Sequence, residues 1–368
     1  MRLTWDQVFT WRLRRQYVAA PATQLTEIVA RLCGVQAQVT SAAELAVALR
    51  GSAPQAGALV GALNDRTLIK TWAMRGTLHA LTLDLAAAYL SLLASARTWE
   101  RPVWERNFGA SPAEVAALTE RVREVLDGAV LTREELVEAI IADPPFHRLG
   151  EQLRSGWGAL LKPLAWQGAI CHGPAQGSKI TFADPAQLVD GWPGLPEPDV
   201  AAPLAITAYL GAYGPATPEA FDAWLSRGSL RKTVLRRWFS ELGETVTEVE
   251  VEGRSGYLLT EHLDELAATK PTKAVHLLGG FDQYVLGPGT ADTVLLPGDH
   301  RAKVSRTAGW ISPIVVVGGR IAGTWELADD TVTVAMFDGA PLPRKGFDAA
   351  LERLAEALGR DALTVHAG

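Results

Sequence analysis

Cysteine is almost missing from this 368-residue chain, with only Cys33 and Cys171 and no CxxC pair. A disulfide-built scaffold needs several paired cysteines and is excluded, and a zinc or iron–sulfur centre, which needs clustered thiolates or imidazoles, is not expected. The seven histidines (79, 147, 172, 262, 276, 300 and 366) are scattered and assemble no metal motif by spacing. Positive charge is not in surplus either: 35 Lys+Arg against 41 Asp+Glu leaves a net charge of −6. That excludes a uniformly basic, histone-like nucleic-acid binder, though not a local basic face. No apolar run reaches the roughly 18 residues that span a bilayer. The opening Met-Arg-Leu-Thr-Trp-Asp-Gln lacks the apolar core of a secretory leader. The expectation is a cytoplasmic protein that makes no membrane contact. Familiar catalytic signatures are also lacking. There is no GxSxG, and Gly279-Gly280 and Gly318-Gly319 have neither P-loop nor dinucleotide-binding spacing.

What is present is ordinary globular material, with 48% hydrophobic and 21% charged residues, enough to exclude wholesale disorder. At roughly 150 residues per domain, the length argues for two or three folding units. Capping-box patterns stand at Ser41–Glu44, Ser111–Glu114 and Thr132–Glu135, and Thr217-Pro218 opens a further helix. Strand pairs around glycine-bearing turns read as 68–74 with 77–81, 169–172 with 179–182, and 244–251 with 256–260. Each pair follows two or three short helices, the last amphipathic, at 55–63, 155–166 and 230–242. Helix, helix, helix, hairpin is the order of a winged helix-turn-helix, and it recurs three times without residue identity.

The pattern predicts an α+β chain of three tandem winged helices with a β-rich C-terminal segment and a final helix near 346–358. The expected divisions are 1–81 (first winged helix, with the N-terminal helix), 82–128 (helical linker), 129–184 (second), 185–270 (third) and 271–368 (β-rich region). Strands are expected at 275–278, 285–286, 314–317, 320–325 and 331–337. The proline-rich stretch 183–201 reads as an extended boundary, and most of the twelve tryptophans read as core.

The most unusual local feature is Gly34-Val-Gln-Ala-Gln-Val-Thr40. Here Val35, Ala37 and Val39 alternate with Gln36, Gln38 and Thr40, and a period of two places both glutamine side chains on one side of an extended segment. A solvated strand face would look the same. Neither glutamine is expected in an apolar core, so truncating either should cost no more than about 1 kcal/mol. Because an amide cannot take a proton at neutral pH, such a pair could act in a hydrolysis only by positioning and dipolar stabilisation. The leaving group would then have to be labile by itself.

Cations cluster in the third winged-helix candidate. Arg227, Arg231, Lys232, Arg236 and Arg237 have no acid between them, beside an apolar stripe of Leu230, Val234, Leu235, Trp238 and Leu242. Lys232, Arg236 and Arg237 are the expected phosphate contacts. Lys70, Arg75 and His79 lie on the first predicted wing, with Arg75-Gly76 at its tip, and are the second set of candidate DNA contacts. Arg12, Arg14 and Arg15 form a weaker set on the N-terminal helix.

The segments Trp5…Trp11-Arg-Leu-Arg-Arg-Gln16, Gly34-Val-Gln-Ala-Gln38, Trp72-Ala-Met-Arg-Gly-Thr-Leu-His79, Gly280-Phe-Asp-Gln-Tyr-Val-Leu-Gly287 and Gly309-Trp-Ile-Ser-Pro313 resemble the AlkZ-like winged-helix DNA glycosylases. The likeness covers essentially the whole chain. It implies tandem winged helices around a concave DNA-binding face, and hydrolysis of the N-glycosidic bond of bulky N7-alkylated purines, interstrand crosslinks included. It also implies a role in self-resistance to an alkylating natural product. Gln36 and Gln38 match the family's catalytic Gln-x-Gln pair, and Gln38 sets the chain apart from a branch with Asp at that position. The implied partner is double-stranded DNA carrying alkylpurine lesions, bound by a monomer without cofactor or metal. An N7-alkylpurine is cationic, so its departure needs little acid or base, which suits a pair of neutral amides. With the nearest lysine to the pair at Lys70, direct hydrolysis is favoured over Schiff-base chemistry. A non-catalytic winged-helix regulator and a drug-sequestering protein are the alternatives, and release of free base would separate them from a glycosylase.

Overall fold

Helix starts fall where short polar side chains meet backbone donors. In the computed structural model, which describes residues 2–367, Thr4, Ser111 and Thr132 each cap a helix through a reciprocal capping box. The helices are Trp5–Arg15, Pro112–Val125 and Arg133–Ile141, closed by Gln7, Glu114 and Glu135. The Thr217 hydroxyl accepts from the Ala220 amide at 3.1 Å ahead of Pro218–Ser226. The box expected at Ser41 does not form. Helix Thr40–Ala48 begins two residues earlier, with Val39 at the cap and no side-chain bond. Glu44 instead accepts from the amides of Leu59 and Val60, at 3.2 and 2.9 Å, and satisfies the free donors opening Ala58–Asn64.

The chain folds into two compact units, each drawn from separated stretches. The first takes everything up to Val60, Thr207–Trp224 and the chain from Leu242 onward; the second takes Gly61–Ile206 and Leu225–Glu241. These units cut across the five expected segments. The three hairpins are present as Ile69–Trp72 with Leu78–Leu81, Cys171–Gln176 with Lys179–Ala183, and Val246–Val251 with Arg254–Leu259. Each follows helices in chain order.

In the first unit the β-rich region is a five-stranded sheet in the order Thr364–Ala367, Thr331–Met336, Arg320–Ala328, Ile314–Val317, Val275–Leu278. All pairs are antiparallel except the first, which is parallel. Along Arg320–Ala328 burial alternates, with Ile321, Gly323 and Trp325 inside, as one packed face requires. Phe9, Trp11 and Leu13 of the N-terminal helix and Phe347 and Leu354 of the last helix, Arg344–Leu358, enter the same core. Each such buried side chain contributes about 1.5–3 kcal/mol of apolar burial. The strand expected at 285–286 is instead part of a helical turn, Gln283–Leu286, because Asp282 caps the Tyr284 amide at 2.8 Å. The terminal strand Thr364–Ala367 had no counterpart in the sequence reading.

Within this unit Arg50 and Asp282 form an ion pair with both side chains at 0% exposure. Its bonds are bidentate, at 2.7 and 2.8 Å. Arg50 also donates to the carbonyls of Gln16 and Ala46.

In the second unit the first two hairpins share one sheet, joined where Lys70 faces His172, and Leu131–Thr132 pairs with the outer strand. Residues 82–128 are helical as expected, yet they are core and not a spacer. Helix Leu83–Ser95 buries nine of its thirteen residues, and Leu118, Val122 and Leu126 pack with Leu136 and Ile140. The helix expected over 155–166 is present only as Leu161–Trp166, and a turn separates it from the preceding helix Gly150–Arg154. Gly158 turns the chain between them at φ +61°, and a Cβ there would stand 2.6 Å from the Trp72 ring. The expected boundary 183–201 holds a short helix, Pro185–Leu188, before Pro198–Tyr213 begins. Among the described residues no helix is long and apolar enough to cross a membrane.

Candidate active site and nucleic-acid-binding residues

Two consecutive left-handed residues, Cys33 (φ 58°) and Gly34 (φ 93°), end the helix Leu25–Arg31. The Gly34 amide reaches back to the Val29 carbonyl at 2.8 Å, a helix closure of the Schellman kind. The Tyr213 hydroxyl donates to the Leu32 carbonyl at 2.6 Å and pins this turn from the side. The chain then extends, but the strand comprises only Val35–Gln36.

Val35, Gln36 and Ala37 are all buried, at 1%, 6% and 2% exposure, while Gln38 is exposed. The burial therefore does not follow the period of two expected from the alternation. Gln36 is a buried amide and Gln38 a surface amide, so the expectation that both lie outside the core holds for Gln38 alone. The acids nearest the pair in sequence have partners elsewhere. Glu27 accepts from the Tyr17 hydroxyl, whose pKa is pushed up to about 12 by burial and by that carboxylate. Glu44 holds the Leu59 and Val60 amides.

On the first hairpin Arg75 (φ 58°) and Gly76 (φ 71°) form the tip, as expected. Lys70 is half-buried, and desolvation lowers its pKa. His79 has no exposed surface, so in this structure it offers nothing for a duplex to touch. Its Nδ1 lies 3.0 Å from the Thr77 carbonyl, and its Nε2 has no hydrogen-bond partner among the described residues. Burial, reinforced by the charge of Arg75, pushes its pKa down to about 3, so the ring is neutral at physiological pH.

Helix Lys232–Glu241 buries Leu235, Trp238 and Phe239 and exposes Lys232, Arg236 and Arg237. Arg237 is not free. It pairs in bidentate fashion with Asp199, at 2.6 and 3.0 Å, and with Glu241 at 3.2 Å. Trp238 donates to the same Asp199 at 2.7 Å. Arg237 thus has two acidic partners, one of them distant in sequence. Lys232 and Arg236 have no ion-pair partner among the described residues.

The N-terminal arginines are held by the fold. Arg12, at 3% exposure, donates to the carbonyls of Gly214 and Pro215, Arg14 to Thr269, and Arg15 to Gly211. Among the described residues no group of three His, Cys, Asp or Glu side chains is placed to hold a metal ion.

The family model for "DNA glycosylase AlkZ-like" matches residues 29–360. An interstrand DNA cross-link repair glycosylase of Streptomyces sahachiroi is 53% identical over 369 residues, covering 99% of each chain. The solved structure of the S. sahachiroi DNA glycosylase AlkZ superposes with a TM-score of 0.96 at 53% identity, over 100% of both chains. A catalytic fold shared along its whole length defines the class, a DNA glycosylase. Within that class, the chain belongs to the AlkZ-like family.

Proposed function

We propose that this protein hydrolyses the N-glycosidic bond of bulky N7-alkylated purines in double-stranded DNA and unhooks interstrand crosslinks, as self-resistance to an alkylating natural product. Three winged helices would frame a concave DNA-binding face. The observation that carries this reading is the Gln36/Gln38 element, one amide buried and one exposed, in a chain 53% identical end to end to a cross-link repair glycosylase.

The chemistry follows from what an amide can do. Its carbonyl accepts a hydrogen bond from water and its N–H donates one, but it takes no proton at neutral pH. The pair therefore orients water against the oxocarbenium-like sugar and stabilises charge by dipoles. The cationic purine leaves as a neutral base without a strong acid. Incubation of an N7-alkylated duplex with the protein should release free base and leave abasic sites that heat or alkali cleaves. A non-catalytic regulator would bind the duplex and release nothing.

Substrate range is a sharper test. Uracil and hypoxanthine are uncharged in DNA and would have to leave as anions unless protonated, and the pair offers neither acid nor base to help them. Duplexes containing either should stay intact under conditions that empty the N7-alkylguanine substrate. Efficient removal of either would require a general acid or base outside the pair.

Phosphate binding divides the exposed cations unequally. Lys232→Ala and Arg236→Ala should each lower the slope of log affinity against log salt by about 0.9. Arg237→Ala should change it less, since Asp199 and Glu241 already hold that guanidinium. Equal effects of all three on an undamaged duplex would mean that DNA displaces the carboxylates.

A further inference from the structure

The second unit contains a cavity of about 420 Å³ that the sequence did not announce. Aromatic rings line it: Trp104, Phe108, Trp157 and Trp166. Trp104 and Phe108 are a tilted pair with centroids 5.1 Å apart, and Trp166 lies 6.2 Å from the buried Trp99. Trp157 is the odd member, because it is 76% exposed in a chain whose tryptophans are mostly interior. Its exposure is built in. Gly158 is pressed on the Trp72 ring at φ +61°, so the turn is anchored there while Trp157 projects from it.

The polar lining has one sign. Lys162 and Arg227 border the cavity, Arg75 of the hairpin tip reaches it, and no acidic residue among those described lines it. Neither Lys162 nor Arg227 has an ion-pair partner among the described residues. The Lys162 pKa falls through burial first and the charge of Arg227 second. Two cations facing one another without a carboxylate fit an anion between them. The Trp166 indole N–H is buried with no acceptor among the described residues, a further donor at the wall. Neither Gln36 nor Gln38 belongs to this lining.

We propose that this cavity is a second nucleotide subsite, which receives one unpaired nucleotide of the bound DNA strand, its base stacked on Trp157 and its phosphate between Lys162 and Arg227. A planar base with an attached phosphate matches both halves of the lining, and a duplex whose bases are all paired presents no free face to stack. The proposal rests on the reading of the chain as a DNA glycosylase. It adds a place for a base that pairing no longer holds, as at an opened crosslink.

The test uses the full chain and two undamaged duplexes, identical except that one carries a single unpaired adenosine. Fluorescence anisotropy gives the ratio of their affinities. One stacked base should favour the bulged duplex by about ten-fold. In Trp157→Ala and in Lys162→Gln the ratio should fall towards one, and Trp157→Phe should restore most of it. Trp157 is exposed, so its replacement does not threaten the fold. No preference in the wild type, or an undiminished ratio in both variants, overturns the subsite. Competition by free deoxyadenosine monophosphate at the concentration of the bulged duplex would also overturn it, since the site would then serve a free nucleotide. Base release from N7-methylguanine duplex by the wild type is measured alongside. Release without preference removes the subsite and leaves the glycosylase; preference without release does the reverse.

Discussion

Single-turnover excision of N7-methylguanine from duplex DNA should fall by about 10²-fold in Gln36→Ala or Gln38→Ala, and by 10³-fold or more in the double variant. Each amide is asked to place water and to face developing positive charge on the sugar, and loss of one such preorganised dipole typically costs about 2.7–4 kcal/mol of barrier. Residues that act on one water are not additive, so the double variant should fall short of the product of the singles. The two changes differ in what they do to the fold. Gln38 is exposed, and its truncation should leave stability within about 0.5 kcal/mol. Gln36 is 6% exposed, so Gln36→Ala should cost about 1–3 kcal/mol. Thermal unfolding therefore has to accompany the rates. A double variant that is folded and excises at the wild-type rate removes both residues from the mechanism.

The largest effect on stability should come from Arg50 and Asp282. Both are wholly enclosed, and each satisfies the other. Arg50 also donates to the Gln16 and Ala46 carbonyls, while Asp282 accepts from the Tyr284 amide. Removing one partner leaves a buried charge with no counterion, a loss of about 3–5 kcal/mol. Arg50→Ala and Asp282→Ala should each shift the denaturant midpoint accordingly. The double change should cost much less than the sum, because no lone charge then remains buried. A loss of unfolding free energy below about 1 kcal/mol in either single variant would contradict this account.

Local chemistry was legible in the sequence wherever its partners lie within a turn. Ser111 and Thr132 cap their helices because the responding Glu114 and Glu135 are three residues away. Hairpin tips were legible for the same reason: the Arg75-Gly76 turn needs left-handed backbone that Gly76 supplies without strain. The family's motifs were equally visible, since a motif is a string.

What only the tertiary structure decided depends on groups far apart along the chain. Glu44 had the right spacing for Ser41, but the amides of Leu59 and Val60, fifteen and sixteen residues on, hold it. Arg237 has the sequence context of a phosphate contact, but Asp199, thirty-eight residues earlier, holds its guanidinium. The period of two around Gln36 and Gln38 describes alternation along an extended chain, whereas burial depends on what packs against it. Packing enclosed Val35, Gln36 and Ala37 together and left Gln38 in solvent. Trp157 shows the converse. Composition places a tryptophan in the core, and a glycine turn seated on the Trp72 ring holds this one outside.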